Sequence, residues 1–178
     1  MVRTVYYASV SLDGFTADDV TGPEENRGFR VAESPANAGA VVMGAGTYGR
    51  LQRQVEETGS PVWDCPPGPV WVYTHHEFPG IPGADIMFVR GPVDEFAADI
   101  SDSANGGDVW LRGAGLAGQY LHHGLLDELR LVVHPVLLGQ GRSLLPPAAA
   151  RSAVLLSSLP SADGSVRLCY GIRAGRER

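Results

Sequence analysis

Three places in this chain carry residue types and spacings that could do chemistry. The first is Gly113-Ala114-Gly115, which interrupts a short apolar run, Val109 to Leu111, and is followed by apolar residues at helical spacing, Leu116, Tyr120 and Leu121. That pattern reads as strand, tight turn, helix. Glycines there let main chain approach a ligand closely, and the first turn of the helix leaves unpaired N–H groups and a partial positive charge at its start. The natural guest is a phosphate or pyrophosphate. The same glycines could merely join a strand to a helix; what raises the anion-binding reading is the rest of the chain. The second place repeats the arrangement: Ala40 to Met43, then Gly44-Ala45-Gly46, then Thr47-Tyr48 opening a helix with Thr47 near its N-cap. The third is Asp13, delivered at the end of an apolar run from Thr4 to Ser11 and followed by Gly14. It is either a carboxylate placed for proton transfer or a turn residue that hydrogen-bonds the backbone ahead of Gly14.

The histidine pairs His75-His76 and His122-His123 invite a metal, but the geometry opposes it. Neighbouring side chains on a strand point to opposite faces, and on a helix they diverge by roughly 100°. No metal is expected. His134, before Pro135 in an apolar run, reads as a satisfied strand residue, and Trp110 as core; Trp63 lies in a loop.

Several elements must position these groups. Strands are expected at Thr4 to Ser11, Ala40 to Met43, Val70 to Tyr73, Ile86 to Val89, from Val109, and over the long apolar run Leu129 to Leu138. Helices are expected after Gly46, over Val93 to Ile100 with Val93, Phe96, Ala97 and Ile100 on one face, and after Gly115. Ala153 to Leu159 and Val166 to Ile172, split by Pro160-Ser-Ala-Asp-Gly164, form a hairpin. Thr16 to Asn37 reads as a mobile loop, with room for a short helix, that closes over a ligand, and Glu56 to Pro69 as surface loop. Strands alternating with helices give an α/β fold: a three-layer, mostly parallel mixed sheet flanked by helices, with an antiparallel C-terminal edge hairpin. Ligands in such sheets gather at the carboxyl ends of the strands. Asp13, Gly44, Thr74 and Gly113 all stand at such ends.

The 178 residues are expected to form one domain over 1–178. A formal charge of −6, from 14 Lys+Arg against 20 Asp+Glu, with no basic block, argues against nucleic acid or an anionic membrane as partner. Two distant cysteines, Cys65 and Cys169, exclude a disulfide framework and fit a reduced, cytoplasmic setting. No run has the length or character of a signal peptide or membrane span.

Taken together, Ser9-Val-Ser-Leu-Asp-Gly-Phe15, Val42-Met-Gly-Ala-Gly-Thr-Tyr48, Val72-Tyr-Thr74, Val109-Trp-Leu-Arg-Gly-Ala-Gly115 and Gly124-Leu-Leu-Asp-Glu-Leu-Arg130 with Pro135-Val-Leu-Leu-Gly139 resemble the dihydrofolate-reductase-like proteins. Within them, the chain resembles the reductase C-terminal domain of riboflavin biosynthesis and its stand-alone relatives. The resemblance implies a reductase that uses NADPH on a small heterocyclic substrate, pterin- or pyrimidine-like, and works as a homodimer. It implies that Gly44, Thr47 and Tyr48 hold phosphates and ribose, that Thr74 lies by the adenosine 2′-phosphate, and that Gly113, Ala114, Gly115 and Leu116 hold the pyrophosphate; His75 beside the first and Arg112 beside the second read as further cofactor contacts of this chain. Ala8, Leu12, Asp13 and Gly14 would border the nicotinamide, with Asp13, its pKa raised by burial, as the proton donor. Two departures stand out. Ala45 replaces the arginine that usually grips the 2′-phosphate, and Arg112 replaces an acidic residue usual before the glycine turn. They point to a paralogous small-molecule reductase. The rival class is a non-catalytic nucleotide-binding or sensing homodimer.

Overall fold

The structure is a computed structural model, and it describes residues 1–16, 37–58, 65, 67–146 and 150–173. In chain order its elements are β1 (Thr4–Ser11), β2 (Phe15–Thr16), β3 (Ala38–Gly44), α1 (Ala45–Thr58), β4 (Val70–Tyr73) and β5 (Ile86–Val89). There follow α2 (Ala97–Ser103), β6 (Asp108–Arg112), α3 (Ala114–His122), β7 (Glu128–His134), β8 (Arg142–Ser143), β9 (Ala153–Pro160) and β10 (Val166–Ile172). The strands join in one sheet in the order β5-β4-β3-β6-β1-β7-β10-β9, with the short β2 and β8 appended to the end of β1. From β5 to β7 every pairing is parallel, and β10 and β9 close the edge antiparallel. The expected mostly parallel mixed sheet with an antiparallel C-terminal edge is therefore borne out.

The central strands are apolar on both sides because both sheet faces are covered. Tyr6, Ala8, Val42, Val109 and Leu111 face a core completed by Ile100 of α2 and by Leu116, Ala117 and Tyr120 of α3. Alternate residues of the same strands, Val41, Met43, Val72 and Trp110, face a second core completed by Tyr48 and Leu51 of α1. Continuous apolar runs are what a strand buried on two faces requires. Trp110 is core, as expected, at 2% exposure.

A charged cluster braces the opposite end of the sheet from the glycine junctions. Arg3, just ahead of β1, donates to Asp108 at the start of β6 (3.2 and 2.9 Å) and to Glu128 at the start of β7 (2.8 Å). Arg130 donates to Glu128 at 2.6 Å, and the Cys169 thiol donates to it at 2.8 Å. Burial pushes the Glu128 carboxyl up, but these donors outweigh it and hold its pKa below the usual value. Burial and then the neighbouring Glu128 raise the Cys169 thiol to about 11.

Several boundaries differ from expectation. α1 begins at Ala45, so Thr47 lies inside the first turn and is not the cap. α2 spans Ala97–Ser103, later than the expected Val93 to Ile100; Val93 is buried in a turn after Pro92, so its apolar character fills core without helix. β7 stops at His134 rather than Leu138, because Pro135 has no N–H to continue a ladder. Thr16, the first residue of the expected closing loop, is instead the second residue of β2, paired with β8, and Glu56 to Thr58, expected as surface loop, form the last turn of α1. Residues 17–36 of the expected closing loop, and Trp63, lie outside the described residues.

Candidate functional site

Three neighbouring parallel strands come level at the carboxyl edge, where β3 and β6 end and β1 runs on past them. In β3 and β6, Met43 pairs with Arg112, and in β1 and β6, Tyr6 pairs with Leu111. Continuing those registers brings Gly44, Gly113 and Ala8 into one row. The next strand outward adds Tyr73, which pairs with Gly44 on one side and Val89 on the other. From β3 the chain crosses through α1 to β4, in one direction; from β6 it crosses through α3 over β1 to β7, in the other. The connections thus diverge between β3 and β6, which is the switch point at which open α/β sheets bind ligands.

At that point two helix starts face the same crevice. A Cβ placed on Gly113 would stand 2.8 Å from the Thr47 hydroxyl, so the two junctions touch. Gly113 takes φ +98°, a backbone state that side chains rarely adopt, and it offers α3 no side-chain cap. The first helical bond of α3 runs from the Ala117 N–H to the Gly113 carbonyl, so the amides ahead of it have no partner within the helix. A Cβ added at Gly44, Gly46 or Gly115 would meet nothing within 4 Å, so the space over both helix starts is open. Neither first turn contains an acidic residue. Ala114 and Leu116 are buried, at 2% and 6% exposure, and can offer only their amides. Arg112 sits beside the turn with its guanidinium 5.1 Å from the centroid of the Trp110 ring and within 3.6 Å of the Cys65 sulfur.

Two expected ligand contacts are turned elsewhere. Tyr48 is fully buried; its hydroxyl donates to the Pro79 carbonyl at 2.7 Å, and its ring meets Phe78 and Phe88 edge to face. It is a core residue that fixes α1 against the sheet. The Thr74 hydroxyl closes its own turn, donating to the His76 carbonyl and accepting from the His76 N–H, both at 2.9 Å. The exposed groups beside it are His75 and a residue that sequence reasoning missed, Arg90. The Arg90 guanidinium donates to His75 Nδ1 and to the His75 carbonyl, both at 3.0 Å. Thr74, His75, His76, Phe88 and Arg90 line a shallow cavity of about 250 Å³ at the ends of β4 and β5. The available signal was position: Arg90 follows β5 as Thr74 follows β4.

At the other side of the row, Asp13 does not have the environment of an acid. The Ser11 hydroxyl, the Gly139 N–H at 2.7 Å and the Leu138 N–H at 3.1 Å all donate to its carboxylate. The Ser11 bond first, then the Gly139 amide, lower its pKa to about 2. The expected raised pKa is corrected: the group is exposed and held ionised. Leu12 is exposed and Gly14 takes φ +85° in the turn leading to β2. Ala8 is buried within β1.

Residues 94–166 match the family model of the RibD C-terminal domain. The uncharacterised protein YyaP of Bacillus subtilis (strain 168) is 36% identical over 67 residues, which are 36% of this chain and 36% of YyaP. The match thus spans about a third of that relative. Among solved structures, a Shewanella sp. PV-4 protein assigned to riboflavin biosynthesis superposes with a TM-score of 0.76 at 19% identity, covering 97% of this chain and 99% of that one. Dihydrofolate reductase from Enterococcus faecalis, complexed with NADP(H), superposes with a TM-score of 0.58 at 14% identity, covering 96% of each chain. The fold is dihydrofolate-reductase-like, and the resemblance to the riboflavin-pathway reductase domain read from the motifs holds.

Proposed function

We propose that this protein is an NADPH-dependent reductase acting on a small planar heterocycle of pterin or pyrimidine type, and that it works as a homodimer. The observation that carries the reading is the meeting of two open helix starts at the switch point, where Thr47 abuts Gly113 and no carboxylate stands in either first turn. A diphosphate fits there because the amides of residues 114–116 and the start of α1 neutralise it without lysines. This suits a chain of formal charge −6. Arg90 and His75, rather than the inward-turned Thr74, supply the cationic and donor groups for a 2′-phosphate, and take over from the arginine that Ala45 replaces. A reduced nicotinamide supplies hydride to a C=N or C=O carbon, the adjacent heteroatom taking a proton. The carboxyl-terminal part of β1 extends past the end of β6 and borders the place where the two rings would stack, so Ala8 leaves room and Leu12 and Gly14 form its outer rim.

In this reading Asp13 does not donate the proton. As a fixed carboxylate it ties the turn after β1 to residues 138 and 139, and the proton comes from solvent. Support for the homodimer comes from β9: all eight of its residues are exposed, among them Val154, Leu155, Leu156 and Leu159. An apolar edge strand of that length calls for a partner. Cys65 and Cys169 form no disulfide, which suits the cytoplasm. Isothermal calorimetry with NADPH and NADH tests the cofactor, and NADPH oxidation with dihydropterin, pyrimidine and quinone-like acceptors tests turnover. Binding without turnover on any acceptor would favour the sensing reading; no heat with either nucleotide at millimolar concentration would end both.

A further inference from the structure

We infer that Leu12 and Leu137 together form the apolar wall against which the acceptor ring lies, so that the substrate is selected as a flat ring with an unsubstituted apolar face. The inference rests on the reductase reading and extends it to the acceptor side, to which Leu137 has not been assigned. Both leucines are strongly exposed, at 62% and 72%. They are nonetheless held on a braced piece of main chain. The Leu12 N–H donates to the Val136 carbonyl at 2.9 Å, immediately before Leu137, and the Leu138 and Gly139 amides immediately after it donate to Asp13. The Leu144 N–H donates to the Gly14 carbonyl at 2.9 Å, and Phe15 and Thr16 pair with Ser143 and Arg142. Gly139 takes φ +72° at the bend.

Two large apolar side chains carried in water on braced main chain are a binding surface in waiting, because the backbone part of the ordering cost is met before a ligand arrives. Their place decides what binds. β9 offers leucines along an open strand edge, which suits a protein partner; Leu12 and Leu137 sit beyond the strand ends, where main chain is already paired. The order β6-β1-β7 and the strand spacing of about 4.8 Å put them roughly 5 to 10 Å sideways from the Gly113 turn, and Leu12, four residues past the Ala8 that stands level with Gly113, lies about 13 Å further along the strand direction. That is the side of the crevice to which the reacting end of a dinucleotide bound at Gly113 would extend if its adenosine lay toward Arg90.

The test uses protein carrying ¹³C-labelled leucine methyls, titrated with 6-methyl-7,8-dihydropterin, lumazine and 2,4-diaminopyrimidine, each with and without NADPH. At least one ring should move the Leu12 and Leu137 methyls upfield. Leu137→Ala should weaken that ring about tenfold, Leu137→Met should restore it to within about threefold, and the Kd for NADPH should stay within about twofold of wild type. Three results would overturn the inference: a ring that binds while both methyls stay silent, no binding by any of the three, or a Leu137→Ala variant that melts lower while binding the ring as tightly as wild type. Failure of NADPH to bind would remove the reductase reading instead, and leave the methyl result standing on its own.

Discussion

Replacing Gly115 with alanine separates the cofactor cradle from the fold that carries it. Gly115 is the second residue of α3, and a Cβ built on it meets no heavy atom within 4 Å. Glycine inside a helix costs about 0.5–1 kcal/mol relative to alanine, so the substitution should stabilise the protein. For a chain of this size each kcal/mol shifts Tm by about 2–4 °C, and Gly115→Ala should therefore melt roughly 1–4 °C higher. The same methyl stands in the space over the helix start, and a phosphate pushed outward there loses at least one hydrogen bond to charge, worth about 1.5–3 kcal/mol. At 1.4 kcal/mol per tenfold, NADPH should bind about 10- to 100-fold more weakly. Gly113→Ala is the contrast: with φ +98° and Thr47 Oγ1 at 2.8 Å it should lose stability by about 1–3 kcal/mol as well as cofactor. Differential scanning calorimetry and titration calorimetry on the two variants give all four numbers. A Gly115→Ala protein that is at least as stable as wild type and binds NADPH equally well would refute the amide cradle.

The acidic brace should show in pH-dependent melting. Because the Asp13 pKa is lowered to about 2 from 3.8, its contribution is complete above pH 4 and fades as pH falls through 2. Asp13→Asn should accordingly melt below wild type at pH 7 and converge on it near pH 2, while retaining turnover to within a few-fold; loss of turnover with an unchanged melt would restore Asp13 as the acid. Arg90→Gln should raise the Kd for NADPH about tenfold and leave NADH unchanged, read by titration calorimetry; equal losses with both would place the 2′-phosphate elsewhere. Leu155→Asp with Leu159→Asp should turn a dimer into a monomer by light scattering, and a wild-type protein that is already monomeric at micromolar concentration would remove the partner assigned to β9.

Where an apolar run was bounded by residues with one clear preference, the sequence placed it well. Val70–Tyr73 lies between Pro69 and Thr74, Ile86–Val89 follows Asp85, and both strands were read to the residue. Where apolar character had two physical causes, it misled. Val93 and Phe96 share a spacing with Ile100, yet Val93 is buried by a turn after Pro92 and only Ile100 stands on α2. Val136 to Leu138 continue the apolar run of β7, but they follow Pro135, and their backbone serves Asp13 and Leu12 instead of a neighbouring strand. β2 and β8, at two residues each, exist only as pairs formed across the chain and have no local signal.

The site shows the same division more sharply, because main chain does most of its work. Glycine reports directly where backbone must come close or bend, so Gly44, Gly46, Gly113 and Gly115 marked the crevice from sequence alone. The side chains beside them carried less information, since one residue type serves either ligand or fold. Tyr48 stands in the right motif and spends its hydroxyl on Pro79; Thr74 stands at the right strand end and spends its hydroxyl on His76. Asp13 was expected to hold a proton, but its carboxylate accepts first from the Ser11 hydroxyl and then from amides of residues 138 and 139 that are remote in sequence, and together these fix its charge. Arg90 is the converse case: sixteen residues from Thr74 along the chain, it becomes a neighbour only because β5 pairs with β4, so the cation that stands in for the arginine lost at Ala45 arrives through sheet register rather than through a motif.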